Sequence, residues 1–125
     1  MRTQSMLYTA DLTGCEALPS FDAAAIAAAF SSALVGAGAT IVHRAMHAFP
    51  GVGLTCILIL SESHAVLHTW PETGTVNIDI FSCSTRLKSL AAFHELGRLF
   101  GARDMAFQEL NRADGRELVR GRLLA

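Results

Sequence analysis

The 125-residue chain predicts an α+β fold, a two-layer sandwich in which two helices cover one face of a mainly antiparallel sheet. Three observations lead there. Two segments place apolar residues at helical spacing and end in glycine. Six others are strand-like, several of them with residues alternating at period two. The resulting order, β-α-β-β-β-β-α-β, contains no linker or low-complexity stretch, so residues 1–125 make a single domain.

The elements follow from local chemistry. Residues 5–12 form the first predicted strand. A helix then begins after Ser20 or Asp22, either of which can cap it; alanine, the best helix former, fills its interior, and Gly36 and Gly38 end it. Ile26, Phe30, Leu34 and Val35 form its predicted core stripe. Strands over 40–49, 53–61, 65–69 and 75–82 come next. A second helix over 87–100 turns Leu90, Phe93, Leu96 or Gly97, and Phe100 inward, with Gly101 as its stop. The last predicted strand is 104–111. Beyond it Arg112, Arg116, Arg120 and Arg122, broken by Gly115 and Gly121 and offset by Asp114 and Glu117, read as a solvated tail.

Period two assigns the faces. Val76, Ile78 and Ile80 share one side of their strand, and Asn77, Asp79, Phe81 and Cys83 the other. Leu54, Cys56, Leu58 and Leu60 alternate with Thr55, Ile57 and Ile59, so that strand is apolar on both sides. Two helices cover one face only. Face-to-face pairing of two copies, giving four αββα layers, is therefore expected.

Composition narrows the partners. A net charge of −1 with interspersed acids and bases predicts neither nucleic acid nor membrane as a partner. The longest apolar run, 54–60, falls far short of the roughly 20 residues that span a bilayer. The Ala-rich stretch 23–39 lacks the basic flank of a signal segment. Cys15, Cys56 and Cys83 show no CxxC spacing, which argues against a disulfide framework or a metal site and places the chain in a reducing, cytoplasmic setting.

Chemistry concentrates in the run Ser61-Glu62-Ser63-His64-Ala65-Val66-Leu67-His68-Thr69-Trp70-Pro71-Glu72 and in Phe81-Ser82-Cys83. A serine on a tight bend at the start of a strand sits beside the preceding carbonyl, here that of Glu62. Such a hydroxyl becomes an effective nucleophile when it is positioned and a base is near. Attack by Ser63 produces an oxyanion that Thr55 or a backbone N–H can stabilise, followed by an acyl shift from nitrogen to oxygen. His68 can then remove the Ser63 α-proton, releasing residues 1–62 from residues 63–125. Singly each of these side chains has an ordinary structural role; it is their joint spacing that is specific.

That spacing resembles the prokaryotic S-adenosylmethionine decarboxylases, self-cleaving proenzymes with a pyruvoyl cofactor. The resemblance runs from Leu12-Thr13-Gly14-Cys15 through the last predicted strand and is strongest over 60–83. It implies that Ser63 becomes the pyruvoyl group, that His68 serves self-processing and that Cys83 donates the catalytic proton. It also implies a Schiff base with the substrate amine, an electron sink for decarboxylation, and a product used in polyamine (spermidine) biosynthesis. Phe49 and Trp70 match the aromatic side chains that hold the adenine ring in the family, and Glu72 matches the acid that binds the ribose diol. The family's sites lie near a homodimer interface.

The chain departs from the family pattern at several places. Thr55 stands where a serine is common, Thr73-Gly74-Thr75 replaces an aromatic-rich stretch, Ser84-Thr85-Arg86 stands where a glycine is expected after Cys83, and the loop before the cleavage strand reads Phe49-Pro50-Gly51-Val52-Gly53. A reshaped pocket of this kind keeps arginine or ornithine open as the substrate. A non-catalytic homologue acting as a binding or regulatory module is the alternative of another class. Retention of Ser63, His68 and Cys83 together argues against it; two fragments on a denaturing gel would support the enzyme, and one intact chain after prolonged incubation the binding module or a stalled proenzyme.

Overall fold

Asp22 starts the first helix, its carboxylate accepting a hydrogen bond from the Ala25 N–H at 2.8 Å. This helix, α1 (Ala23–Gly36), runs to the predicted Gly36, and Gly38 follows at φ 107°. Ile26, Ala27, Phe30, Ala33 and Leu34 are buried along it. Val35, expected in that stripe, is 55% exposed. It lies one residue past Leu34, about 100° further round the helix and off the buried face. The second helix, α2 (Ser89–Phe100), begins two residues later than predicted. Leu87 is buried just ahead of the helix, and Lys88 donates its N–H to the Ala37 carbonyl at 2.8 Å. Gly101 adopts φ 68° and ends α2, with the Ala102 N–H reaching back to the Gly97 carbonyl.

The computed structural model describes residues 5–51, 53–61, 63–84, 87–112 and 116–122, the last segment by its backbone alone over 116–119. Its strands are β1 (Met6–Thr13), β2 (Ile41–Phe49), β3 (Gly53–Leu60), β4 (Ser63–Trp70), β5 (Thr75–Ser82), β6 (Asp104–Asn111) and β7 (Arg116–Arg122). They form one sheet in the order β2-β3-β4-β5-β1-β6-β7, with every neighbouring pair antiparallel. β2 to β5 form a meander, and β1 closes against β5 and β6. The expected solvated tail is corrected over 116–122: that segment is β7, paired along β6 from Asn111↔Arg116 to Ala106↔Arg122. The edge is held by backbone hydrogen bonds rather than by an alternating apolar pattern, and Gly121 lets it close on the Phe107 ring.

Both helices pack on one face of this sheet, as predicted. Leu12, Leu58, Leu67, Ile78, Ile80 and Met105 are fully buried beneath Phe30, Phe93 and Phe100. Phe21 meets Phe100 edge-on at 5.0 Å. The opposite face carries Thr55, Ile57 and Ile59 of β3, His64, Val66, His68 and Trp70 of β4, and Asn77, Asp79 and Phe81 of β5. No described helix covers it. Ile57, Ile59, Phe49 and Trp70 are 40–46% exposed there.

Candidate active site

Strand β4 starts at Ser63, two residues earlier than predicted, because only residues 61 and 62 connect it to β3. Ser63 pairs with Leu60 on one side and Ser82 on the other, and alternation turns it toward the helix side with Ala65, Leu67 and Thr69. It borders a hollow of ≈ 20 Å³ with Thr40, Ser61, Ser82, Ser84 and Leu87, room for about one water. The Ser82 hydroxyl accepts from the Ser84 N–H at 3.0 Å and donates to the Ser84 carbonyl at 3.2 Å. Cys83 is the next residue beyond the Ser63 partner, so the sheet register brings it to the end that carries Ser63. It is partly buried, with its Sγ 4.0 Å from the Ser5 hydroxyl. Cys15 and Cys56 are buried; burial pushes the Cys15 thiol up to about 11 and raises that of Cys56 against the opposing Arg44 charge. Glu62, the other half of the expected cleavage bond, lies outside the described residues.

The remaining side chains gather elsewhere, on the uncovered face. Thr55 and His68 are register partners, and the Thr55 hydroxyl lies 2.8 Å from His68 Nδ1. Thr55 thus holds the imidazole. If Nδ1–H donates to Thr55, Nε2 is left as an acceptor able to take a proton. The loop length contained this pairing, since a two-residue connection over 61–62 sets Thr55 opposite His68. Reading Thr55 only as an oxyanion donor passed over it.

Phe49, Thr55, His68 and Trp70, with Leu54 and Thr69, line a cavity of ≈ 380 Å³, within the size range of small-molecule sites. Beside this cavity β3 and β4 approach closely at Gly53, whose φ is 114° and where a Cβ would stand 2.1 Å from the Thr69 carbonyl oxygen. Leu54 N–H donates to the Thr69 hydroxyl at 3.1 Å in the same close approach. Glu72 is exposed in the turn that follows Trp70. Two residues that the sequence did not mark as part of the site, Asn77 and Asp11, also join here. Trp70 Nε1–H donates to Asn77 Oδ1 at 2.6 Å, and Asn77 Nδ2 donates to Asp11 at 2.7 Å. Nearby, burial raises the Asp79 carboxyl above its ordinary value; His68 works against the shift, Asp11 adds to it and His64 opposes it.

Within one chain, therefore, Ser63 and Cys83 share one end of the sheet, whereas Thr55, His68, Phe49 and Trp70 form a separate group. His68 is five residues from Ser63 on a continuous strand, about 17 Å away at 3.3–3.4 Å per residue. Five is odd, so the two side chains also leave the sheet on opposite sides. Among the described residues no group of three or more His, Cys, Asp or Glu side chains could hold a metal. No described helix is long and apolar enough to cross a membrane.

Residues 6–113 match the sequence profile of the S-adenosylmethionine decarboxylase family. The chain belongs to that family. The S-adenosylmethionine decarboxylase proenzyme of Syntrophomonas wolfei is 32% identical over 103 residues, 82% of each chain. That of Clostridium kluyveri is 35% identical over 83 residues, 66% of each chain. The adenosylmethionine decarboxylase of Aquifex aeolicus, a solved structure, superposes with a TM-score of 0.78 at 25% identity, covering 90% of this chain and 92% of that one. Family membership and shared fold agree with the expectations from the 60–83 run. β7 lies beyond the segment that matches the family profile.

Proposed function

We propose that the chain is a decarboxylase proenzyme that cuts itself between Glu62 and Ser63 and then decarboxylates S-adenosylmethionine as a homodimer paired through the uncovered sheet face. The observation that carries this reading is the Thr55–His68 couple beside Phe49 and Trp70, at a cavity of ligand size on that face, in a member of this family. Pairing is supported by the apolar residues left exposed there and by the separation of Ser63 from His68 within one chain. A second copy laid face to face brings its own Thr55 and His68 over the end of the sheet that carries Ser63 and Cys83. Two identical sites result, each built from both chains.

In self-cleavage the Ser63 hydroxyl adds to the Glu62 carbonyl carbon, the peptide C–N bond breaks, and an ester joins Glu62 to the Ser63 side chain. His68 Nε2 takes the Ser63 α-proton, and the Cβ–O bond breaks, releasing Glu62 as a carboxylate. Water then replaces the nitrogen on the remaining residue, giving ammonia and a pyruvoyl group at residue 63. The placement of Ser63 supports such an origin: it begins a strand immediately after a two-residue connection, where a break in the chain and the loss of its backbone nitrogen leave the rest of β4 paired. The pyruvoyl group supplies an electrophilic carbonyl that draws electrons from the bond to the departing carbon dioxide. Phe49 and Trp70 clamp the adenine ring, Glu72 accepts from the ribose hydroxyls, and Cys83 returns a proton to carbon. The product supplies aminopropyl groups for polyamine (spermidine) synthesis in the cytoplasm.

The test is intact mass of the purified chain together with carbon dioxide release from S-adenosylmethionine, arginine and ornithine, each offered separately. Two fragments and turnover of S-adenosylmethionine are expected, with Ser63→Ala intact and inactive. Fragments from Ser63→Ala would remove the cleavage chemistry. Turnover of arginine or ornithine in place of S-adenosylmethionine would remove the substrate assignment.

A further inference from the structure

The indole of Trp70 is 45% exposed at the end of β4, where core packing does not lock it. An exposed indole N–H is satisfied by water, so a protein partner is not needed for stability. Even so, the indole is held by a chain of two hydrogen bonds across three adjacent strands: Trp70 on β4, Asn77 on β5 and Asp11 on β1. Asn77 is the register partner of both His68 and Asp11, which sets its amide between the cavity and the carboxylate. The chemistry at the two ends dictates how that amide lies. Indole Nε1–H is only a donor and an ionised carboxylate only an acceptor, so Oδ1 faces Trp70 and Nδ2 faces Asp11. A flip of the amide breaks both bonds.

We infer that Asn77 and Asp11 are positioning residues that aim the Trp70 ring into the substrate cavity, and that they set the affinity for the planar part of the substrate. The inference rests on the reading of that cavity as the S-adenosylmethionine site. Asn77 fixes the rotation of the ring directly, and Asp11 acts one step back by fixing Asn77. Neither touches the reacting atoms, so they act on substrate binding more than on the chemical step.

Trp70 is the only tryptophan in the chain, so its fluorescence reports on this contact without interference. The experiment compares wild type, Asn77→Leu, Asp11→Ala, Asp11→Asn and Trp70→Ala as processed enzymes. It measures fluorescence anisotropy decay without substrate, and KM and kcat for S-adenosylmethionine. Asn77→Leu and Asp11→Ala should enlarge the fast, local component of the anisotropy decay and raise KM about three- to tenfold, as expected for one lost hydrogen bond, with a smaller effect on kcat. Asp11→Asn keeps an acceptor at the same place and should restore both readouts most of the way. Unchanged ring mobility in Asn77→Leu overturns the proposal, as does an Asp11→Asn variant as impaired as Asp11→Ala. A KM effect that disappears at higher protein concentration also overturns it, because the loss is then one of dimerisation. If the ring loosens and KM holds in Asn77→Leu while Trp70→Ala raises KM, only the positioning role fails. If Trp70→Ala also leaves KM unchanged, the substrate-site reading itself fails.

Discussion

Mixing two inactive variants tests whether each site is built from two chains. Ser63 and His68 are about 17 Å apart along one strand, whereas proton abstraction requires a base within about 3 Å or one bridging water. Strand β4 is hydrogen-bonded on both flanks, so folding it back to close that gap would sacrifice its ladders to β3 and β5. If the partner supplies His68, Ser63→Ala and His68→Ala each fail to cleave alone. In a mixed dimer, one site combines the intact Ser63 of the His68→Ala chain with the intact His68 of the Ser63→Ala chain. The other site lacks both. With equal amounts and random pairing about half of the dimers are mixed, so about half of the His68→Ala chains are cut, or about a quarter of all chains. Co-expression with tags of different mass, followed by intact mass spectrometry, reads this fraction and identifies the cut chain. Cleavage confined to His68→Ala chains is expected. No cleavage in the mixture, or cleavage of Ser63→Ala chains, would refute the two-chain site.

Three other predictions follow from the same geometry. Cys83→Ala should be processed but should lose about 10²- to 10⁴-fold in decarboxylation, the usual worth of a positioned proton donor; normal turnover measured by carbon dioxide release would remove that role. Phe49→Ala should raise KM for S-adenosylmethionine about three- to tenfold through lost ring stacking, while affecting turnover of a basic amino acid less if any is seen. The Asp79 carboxyl is raised by burial, so the folded state holds its proton to higher pH than the unfolded chain does. Its stabilising effect is present below the ordinary value of 3.8 and is lost as pH rises through the folded value. Asp79→Asn should therefore raise Tm at neutral pH and have little effect near pH 3, and a thermal melt with the reverse pattern would contradict the assignment.

Residue order alone was enough for the two-layer architecture, because helical spacing and strand alternation are written locally and burial acts on each element in turn. Phe30, Phe93, Ile78 and Ile80 could be assigned to the core in this way. The same alternation showed β3 to be apolar on both sides, more than helices on one face can cover. The 60–83 run was also enough for the family. Val35 and β7 were misread for a shared reason: an apolar residue beside a stripe and an arginine-rich segment at a sheet edge have locations decided by neighbours distant in sequence. β7 is held by a backbone ladder to β6, and no alternating apolar pattern announces it. The site depended still more on such pairings. Thr55 meets His68 through the β3–β4 register, and Cys83 reaches the Ser63 end through the β4–β5 register. Asp11 joins Asn77 and Trp70 only because β1 inserts beside β5, sixty-six positions away in sequence. Strand insertion is a long-range choice made by the burial of whole faces, so the tertiary structure alone brings these three side chains together.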